Sequence, residues 1–331
     1  MRAALLHGIE DLRIEEIPTP TITDDEVLVR VTVCAVCPTD LRKYRTVDNG
    51  ALKLPVNVGH EWVGEVARVG ANVTDVAVGD RIVGGDYAGY AEYAPLRGLM
   101  LRPVTGKPLI IPPTVSDEEA TFVEPLADAI HSIVDQGKVT AGQTVLIIGA
   151  GQLALQHVMV AKAVGARVLV SEPLPDRQAL ATAFGADAVI PGGSPESVAE
   201  AVRALTSGSG ADAAIVTVGI SDAAISGLLA VRTRGRVVLF GGFERGTTTT
   251  LDLNVIHYKE LVLTGSHWVG PMPYSNLELY GDALRMIANG KAPVSKLITH
   301  RVDLDHIHDA FDAIRSRSGM KAMVYIGSPL P

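Results

Sequence analysis

Thr144 to Ala154 reads TVLIIGAGQLA. A short continuous apolar run ends in the turn Gly149-Ala150-Gly151, and a helix-forming stretch opens at Gln152. In this G-x-G-x-x-A pattern the first glycine permits the tight turn and the second lets backbone approach a pyrophosphate. The small Ala154 lets helix and strand pack closely. The phosphates would meet the free N–H groups at the helix start, with Gln152 and Leu153 in its first turn. The pattern is weak alone and gains weight from lying between a strand and a helix. Glu172 ends the next strand, Arg167 to Ser171, about 20 residues beyond the turn, where an acidic side chain accepts both adenosine ribose hydroxyls and repels a 2′-phosphate. That favours NAD over NADP, with Arg177 close enough to soften the preference.

Outward from this turn the chain alternates. A helix is predicted over Asp176 to Phe184, and further strands over Ala213 to Val218, Arg236 to Phe240 and Leu261 to Thr264. Upstream, Glu119 to Asp135 reads as one helix. Alternating strands and helices predict a parallel sheet covered on both faces, an α/β fold. The first part of the chain is different. Met1 to Ile14, Asp25 to Val36, Trp62 to Val69 and Asp80 to Val83 read as strands separated by Gly and Pro punctuation, which predicts a partly open β-barrel. Alternate valines at 27, 29, 31 and 33 mark a half-buried strand.

A second chemistry lies in that β-rich part. Val31 to Asp40 (VTVCAVCPTD) brings Cys37, and Gly59 to Gly70 (GHEWVGEVARVG) brings His60 followed at once by Glu61. Thiolate, imidazole and carboxylate together are the ligand mixture of a catalytic zinc, which keeps one position open. Cys34 and Cys37 also form a C-x-x-C, but no second pair exists to complete a structural zinc site. If the strand continued, the two would point to opposite faces, so Cys34 is read as packing.

Taken jointly, these stretches resemble the zinc-dependent medium-chain alcohol and polyol dehydrogenases. GHE-x-x-G-x-x-x-x-x-G is spelled by Gly59, His60, Glu61, Gly64 and Gly70. Val78 to Arg81 resembles the family's VGDR turn, and Glu124-Pro125-Leu126 the EPL of the sorbitol and threonine dehydrogenase branch. The likeness runs from Met1 to about Ile326. It implies a GroES-like catalytic domain over residues 1–125 and 268–331 and a Rossmann doubly wound NAD-binding domain over 126–267. It also implies that Cys37 and His60 bind the ion, with Glu61 and Glu124 both candidates for the remaining protein position, and that Asp40 orients His60. Thr39 would accept the substrate's hydroxyl proton, and Val218, Gly219, Gly241, Ser266 and His267 would line the nicotinamide pocket. Three departures stand out. No cysteine follows Cys37, so the family's four-cysteine structural zinc lobe is missing and one ion per chain is expected. Arg42 stands where many relatives carry a proton-passing histidine; a guanidinium stays charged and cannot shuttle protons, though it could bind a cofactor phosphate or an acidic substrate group. Pro38 replaces a common glycine.

Composition limits the partners. The chain has 331 residues, 47% hydrophobic and 20% charged, with a net charge of −8. That is a globular composition, and without a basic run it argues against binding to nucleic acid or anionic membrane. No stretch approaches the roughly 18 apolar residues of a membrane span, and the N-terminus shows no leader pattern, so a cytoplasmic protein is expected. The leading expectation is a zinc-dependent oxidoreductase moving a hydride between NAD(H) and a secondary alcohol or ketone, with a polyol, sugar, cyclitol or amino alcohol favoured by the EPL motif. Association into dimers or tetramers is expected from the family. One alternative is a zinc-free NADPH-dependent enone or quinone reductase of the same superfamily, against which the ligand set counts. The other is a non-catalytic nucleotide-binding protein, against which the joint presence of ligands and cradle counts.

Overall fold

The computed structural model describes residues 1–104, 106–270 and 276–327. By its internal contacts the chain falls into two units, Met1–Glu124 with Val269–Pro331, and Pro125–Trp268.

In the first unit, strands β1 (Arg2–Gly8) and β2 (Asp11–Glu16) form an antiparallel hairpin. The segment predicted as one strand from Met1 to Ile14 therefore folds back, turning at Glu10, whose φ of 55° lies in the left-handed region. Next come β3 (Val27–Ala35), β4 (Glu61–Val69), β5 (Arg81–Gly84) and β6 (Tyr93–Leu96). Central in their sheet is β3. It pairs antiparallel with β4 along its length, with β6 at its amino-terminal half and, at its carboxyl end, with a strand from the end of the chain. Its alternating valines understate its burial. Leu28, Thr32 and Cys34 on the other face are buried too, since the helix Asp117–Ala120 packs there and its Asp117 accepts a hydrogen bond from Thr32 Oγ1 at 2.7 Å.

The helix Pro38–Gly50 follows β3 directly, where the sequence reading had only the end of a β-rich run. Cys37 is its N-cap, Pro38 occupies the first turn and Asp40 returns a side-chain oxygen to the cap's N–H, all features of a helix start. Cys37 thus lies off the strand at the helix start, so strand alternation does not set its direction relative to Cys34.

The second unit holds β7 (Thr144–Ile148), β8 (Arg167–Ser171), β9 (Ala188–Ile190), β10 (Ala211–Val216), β11 (Val231–Leu239) and β12 (Val262–Gly265). They form one sheet in the order β12-β11-β10-β7-β8-β9 with every neighbour parallel. Continuous apolar strands suit such a sheet because helices cover both faces. Leu146, Ile148, Leu169, Val216 and Val237 form a buried core with Val198 and Val202 of the helix Pro195–Leu205. Strand order reverses between β7 and β10, and the loops leaving the carboxyl ends converge there. The helix predicted over Glu119 to Asp135 is interrupted. It divides into Asp117–Ala120, Val123–Ile130 and a wider π-type turn, His131–Gln136. Pro125 explains the first break, because its ring would meet the carbonyl of residue 121 in a continuous helix.

The chain then returns to the first unit through the helix Glu278–Ala288, β13 (Ile298–Asp303), the helix Ile307–Arg315 and β14 (Lys321–Tyr325). β14 pairs parallel with β13 and antiparallel with the end of β3. Among the described residues no helix is long and apolar enough to cross a membrane.

Candidate active site

The end of β3 organises the site. Ala35, its last residue, lies opposite Glu61 of β4 and Met323 of β14. Antiparallel pairing makes β4 and β14 begin where β3 stops. Glu61, Lys321 and the helix N-cap at Cys37 are therefore neighbours although they span most of the sequence. Cys37, His60 and Glu61 are all buried, and one ligand atom from each lies within 4.8 Å of the others.

Each ligand candidate is held by a second group. Asp40 Oδ1 is 2.8 Å from His60 Nδ1, which fixes the ring and leaves Nε2 as the free ligand atom. Asp40 Oδ2 accepts from the Cys37 N–H at 3.0 Å and from the Tyr90 hydroxyl at 2.8 Å. Burial alone pulls the imidazolium down, but the Asp40 carboxylate and the Cys37 sulfur outweigh it and hold the His60 pKa well above its usual value. Burial pushes the Cys37 thiol up, and Glu61 adds to that. Lys321 donates to Glu61 Oε2, with both side chains wholly excluded from solvent. Glu61 Oε1 is left buried without a protein partner. Burial lowers the Lys321 pKa, yet Glu61, Cys37 and Glu124 together outweigh it and the net shift is upward.

Glu124 is buried at the start of the helix Val123–Ile130, near enough for its charge to raise the Lys321 pKa. It is not a member of the close triplet. Thr39 sits in the first turn after Cys37 and is half-buried. Arg42 turns outward, 62% exposed, and pairs with Asp48 at 3.2 Å. Cys34 is fully buried, and a Cβ on Gly59 or Gly89 would meet its sulfur at 2.9 and 2.6 Å, so it fills tight space.

In the second unit the remaining candidates share one edge of the sheet, because parallel strands send all carboxyl ends the same way. Gly149 leaves β7 with φ +107° and with Thr217 Oγ1 only 2.7 Å from where a Cβ would stand. Gly151 caps the helix Gln152–Val164 with an ordinary φ of −74°, and a Cβ there would meet nothing within 4 Å. Gln152 is buried and Leu153 half-buried in that helix's first turn. Glu172, just past β8, accepts from the Ala150 N–H at 2.8 Å and the Leu174 N–H at 3.0 Å, so it grips the glycine turn. Arg177 lies in the first turn of the helix Pro175–Ala183. Beyond β10, Val218 and Gly219 press backbone to backbone on Gly241 and Gly242 beyond β11. Ser266 follows β12 with its hydroxyl buried and unpartnered, and His267 beside it is exposed.

Two lysines escaped the sequence reading. Lys321 looks like an ordinary strand-end charge in KAMVY, and its partner is 260 positions earlier. Lys43 stands beside the Arg42 that drew attention by position, and only the helix register separates them.

Comparison with known proteins agrees with this geometry. Residues 23–99 match the family model described as alcohol dehydrogenase GroES-like domain, and residues 149–287 the one described as zinc-binding dehydrogenase. The sorbitol dehydrogenase of Bombyx mori is 31% identical over 352 aligned positions covering 98% of both chains. The L-threonine 3-dehydrogenase of Mesorhizobium japonicum is 31% identical over 94% of each. The solved structure of 2R,3R-butanediol dehydrogenase from Bacillus subtilis matches with a TM-score of 0.83 at 27% identity, covering 98% of this chain and 99% of that one. The chain belongs to the zinc-dependent medium-chain alcohol and polyol dehydrogenases, with a GroES-like domain joined to a Rossmann-type parallel sheet. It is an alcohol or polyol dehydrogenase.

Proposed function

We propose that this enzyme oxidises a polar secondary alcohol, or reduces the matching ketone, using one zinc ion per chain and NAD(H). The observation that carries the reading is the buried triplet Cys37, His60 and Glu61, which fits the ion by its chemistry. It offers sulfur, nitrogen and carboxylate oxygen within 4.8 Å of one another, the three protein ligands of a catalytic zinc, and Glu61 keeps one oxygen without a protein partner. When bound, the ion supplies Lewis acidity toward the substrate oxygen. This chain's residues do the rest. Asp40 keeps the His60 tautomer fixed, and Lys321 occupies one Glu61 oxygen while the other is left without a protein partner. Glu124 is the second carboxylate that the resemblance assigns to the site, buried and near Lys321. The Thr39 hydroxyl takes the proton from the substrate's hydroxyl. Arg42 neither accepts protons nor turns inward, so the path beyond Thr39 runs elsewhere.

The glycine turn supports the cofactor. At Gly149 the chain itself demands glycine, through its φ and Thr217. At Gly151 it does not, which fits a position kept bare for a phosphate. Glu172, already at the turn, is the ribose acceptor that favours NAD, with Gln152, Leu153 and Arg177 alongside, and Val218, Gly219, Gly241, Ser266 and His267 on the nicotinamide side. Metal analysis with a panel of polyols tests the reading. About one zinc per chain, and turnover abolished by Cys37→Ser but retained in Cys34→Ser, is the expected outcome. Full activity on enones in metal-free protein would replace this reading with the zinc-free reductase.

A further inference from the structure

We propose that Lys43 is a substrate-recognition cation, and that the alcohol this enzyme takes carries an oxyanion, a phosphate or a carboxylate, on its carbon chain. The inference rests on the alcohol dehydrogenase reading above and narrows its substrate class.

Thr39 and Lys43 lie four residues apart on the helix Pro38–Gly50 and so share a face. Lys43 is 5% exposed. Its Nζ stands 3.4 Å from the centroid of the Tyr87 ring. That ring meets the His60 imidazole edge-on, with centroids 5.2 Å apart and planes at 63°. The ammonium is therefore one aromatic ring away from a metal ligand candidate. Tyr87 itself is 43% exposed, so the stack stands at an open side of the first unit.

Among the described residues no acidic side chain forms an ion pair with Lys43, whereas Asp40, Asp48 and Glu61 pair with His60, Arg42 and Lys321. A ring face satisfies an ammonium only in part, and three N–H donors cannot all point into one π-cloud. The Nζ is not among the buried polar atoms left without a partner, so the small exposed part of this side chain is its charged tip, where the anion of a ligand can replace water. A structural role would be served better by a carboxylate supplied from the chain, or by a residue without charge. A neutral polyol offers hydroxyl acceptors but no charge, whereas an oxyanion offers both. Tyr87 also works as a spacer. It keeps the ammonium away from the ligand cluster, where a second positive charge would oppose a divalent ion, and holds it where a distal group of the substrate can reach.

The test uses the full-length, zinc-loaded enzyme with NAD and three matched probes: ribitol, ribitol 5-phosphate and ribonate. Wild type is expected to favour one anionic probe over ribitol in kcat/KM, and which anion wins separates a phosphate from a carboxylate substrate. Lys43→Met lowers the anionic-to-neutral ratio about tenfold or more, the scale of one charge-assisted hydrogen bond, mainly through KM. Lys43→Arg retains most of the ratio. Arg42→Met, one position away on the exposed side, leaves the ratio within about twofold. A wild-type preference for ribitol overturns the proposal, as does an unchanged ratio in Lys43→Met or a loss in Arg42→Met instead. If no alcohol supports NAD reduction, the dehydrogenase reading falls, and calorimetric titration with ribitol 5-phosphate and with ribonate still decides on Lys43. Binding of either anion weakened in Lys43→Met upholds it, and equal or absent binding of both to the two proteins refutes it.

Discussion

Replacing Lys321 with methionine tests the electrostatic frame of the site without touching a proposed metal ligand. The Lys321 and Glu61 side chains are both fully excluded from water, so solvent screening does not soften their attraction. Methionine keeps the length of the side chain and removes its charge, leaving the Glu61 carboxylate buried with neither oxygen partnered by protein. Breaking a buried pair from one side costs about 3–5 kcal/mol. In a unit of this size that corresponds to a fall in Tm of roughly 6–20 °C. The pH dependence follows from the upward shift at Lys321. A group whose pKa is raised in the folded state contributes fully below its unfolded value, about 10.4, and loses that contribution as pH climbs through the folded value. The contribution of Lys321 itself is therefore flat across neutral pH and is lost only in strongly alkaline buffer. The assay is thermal and urea unfolding of chelator-treated protein, with the double variant Lys321→Met/Glu61→Gln alongside. The double variant recovers more than half of the loss, because it removes the stranded charge. A single variant within about 1 kcal/mol of wild type, as an exposed pair would give, refutes the reasoning. So does a double variant no more stable than the single.

Three further outcomes follow from the geometry. Cys37 holds its proton through burial and His60 holds its own through Asp40, so zinc uptake near pH 7 releases about two protons and tightens as pH rises. Calorimetry in buffers of different ionisation enthalpy reads this directly, and uptake without proton release contradicts it. Gly149→Ala costs about 1–2 kcal/mol from its left-handed φ alone. Gly151→Ala leaves Tm within about 1 °C yet raises the KM for NAD roughly tenfold, so equal effects on stability and KM at the two positions would undo the distinction drawn between them. Glu172→Ala raises the NADP-to-NAD ratio of kcat/KM about tenfold, equivalent to about 1.4 kcal/mol, and an unchanged ratio removes Glu172 from cofactor discrimination.

What the sequence disclosed and what it concealed divide along physical lines. TVLIIGAGQLA announced β7 and the helix after it because both signals are local, an apolar run meeting a glycine turn. Arg167 to Ser171 matches the strand found there, and the helix opens at Gln152 as expected. The helix after Cys37 was hidden by the valine alternation of β3, although Pro38 followed by Asp40 two positions later is a usable start signal. Glu119 to Asp135 kept helical periodicity across a proline, which masked the break. Lys321 could not be read from neighbours in sequence, since only the pairing of β14 with β3 carries it to Glu61. Lys43 was overlooked because Arg42 occupied the position where resemblance directed attention. Motif spacing names residue types, whereas which side of a helix looks inward depends on what packs against it.

Asp40 merits a last consequence. One carboxylate initiates a helix through the Cys37 N–H, steers the His60 ring and anchors Tyr90. Sulfur and imidazole are thereby aimed by the same event that starts the helix. An incoming cation meets donors whose posture is already set, and must suit their spacing rather than mould it. On the proposed zinc reading, metal choice is then decided during folding, and Asp40→Asn erodes selectivity among divalent ions before it erodes the fold.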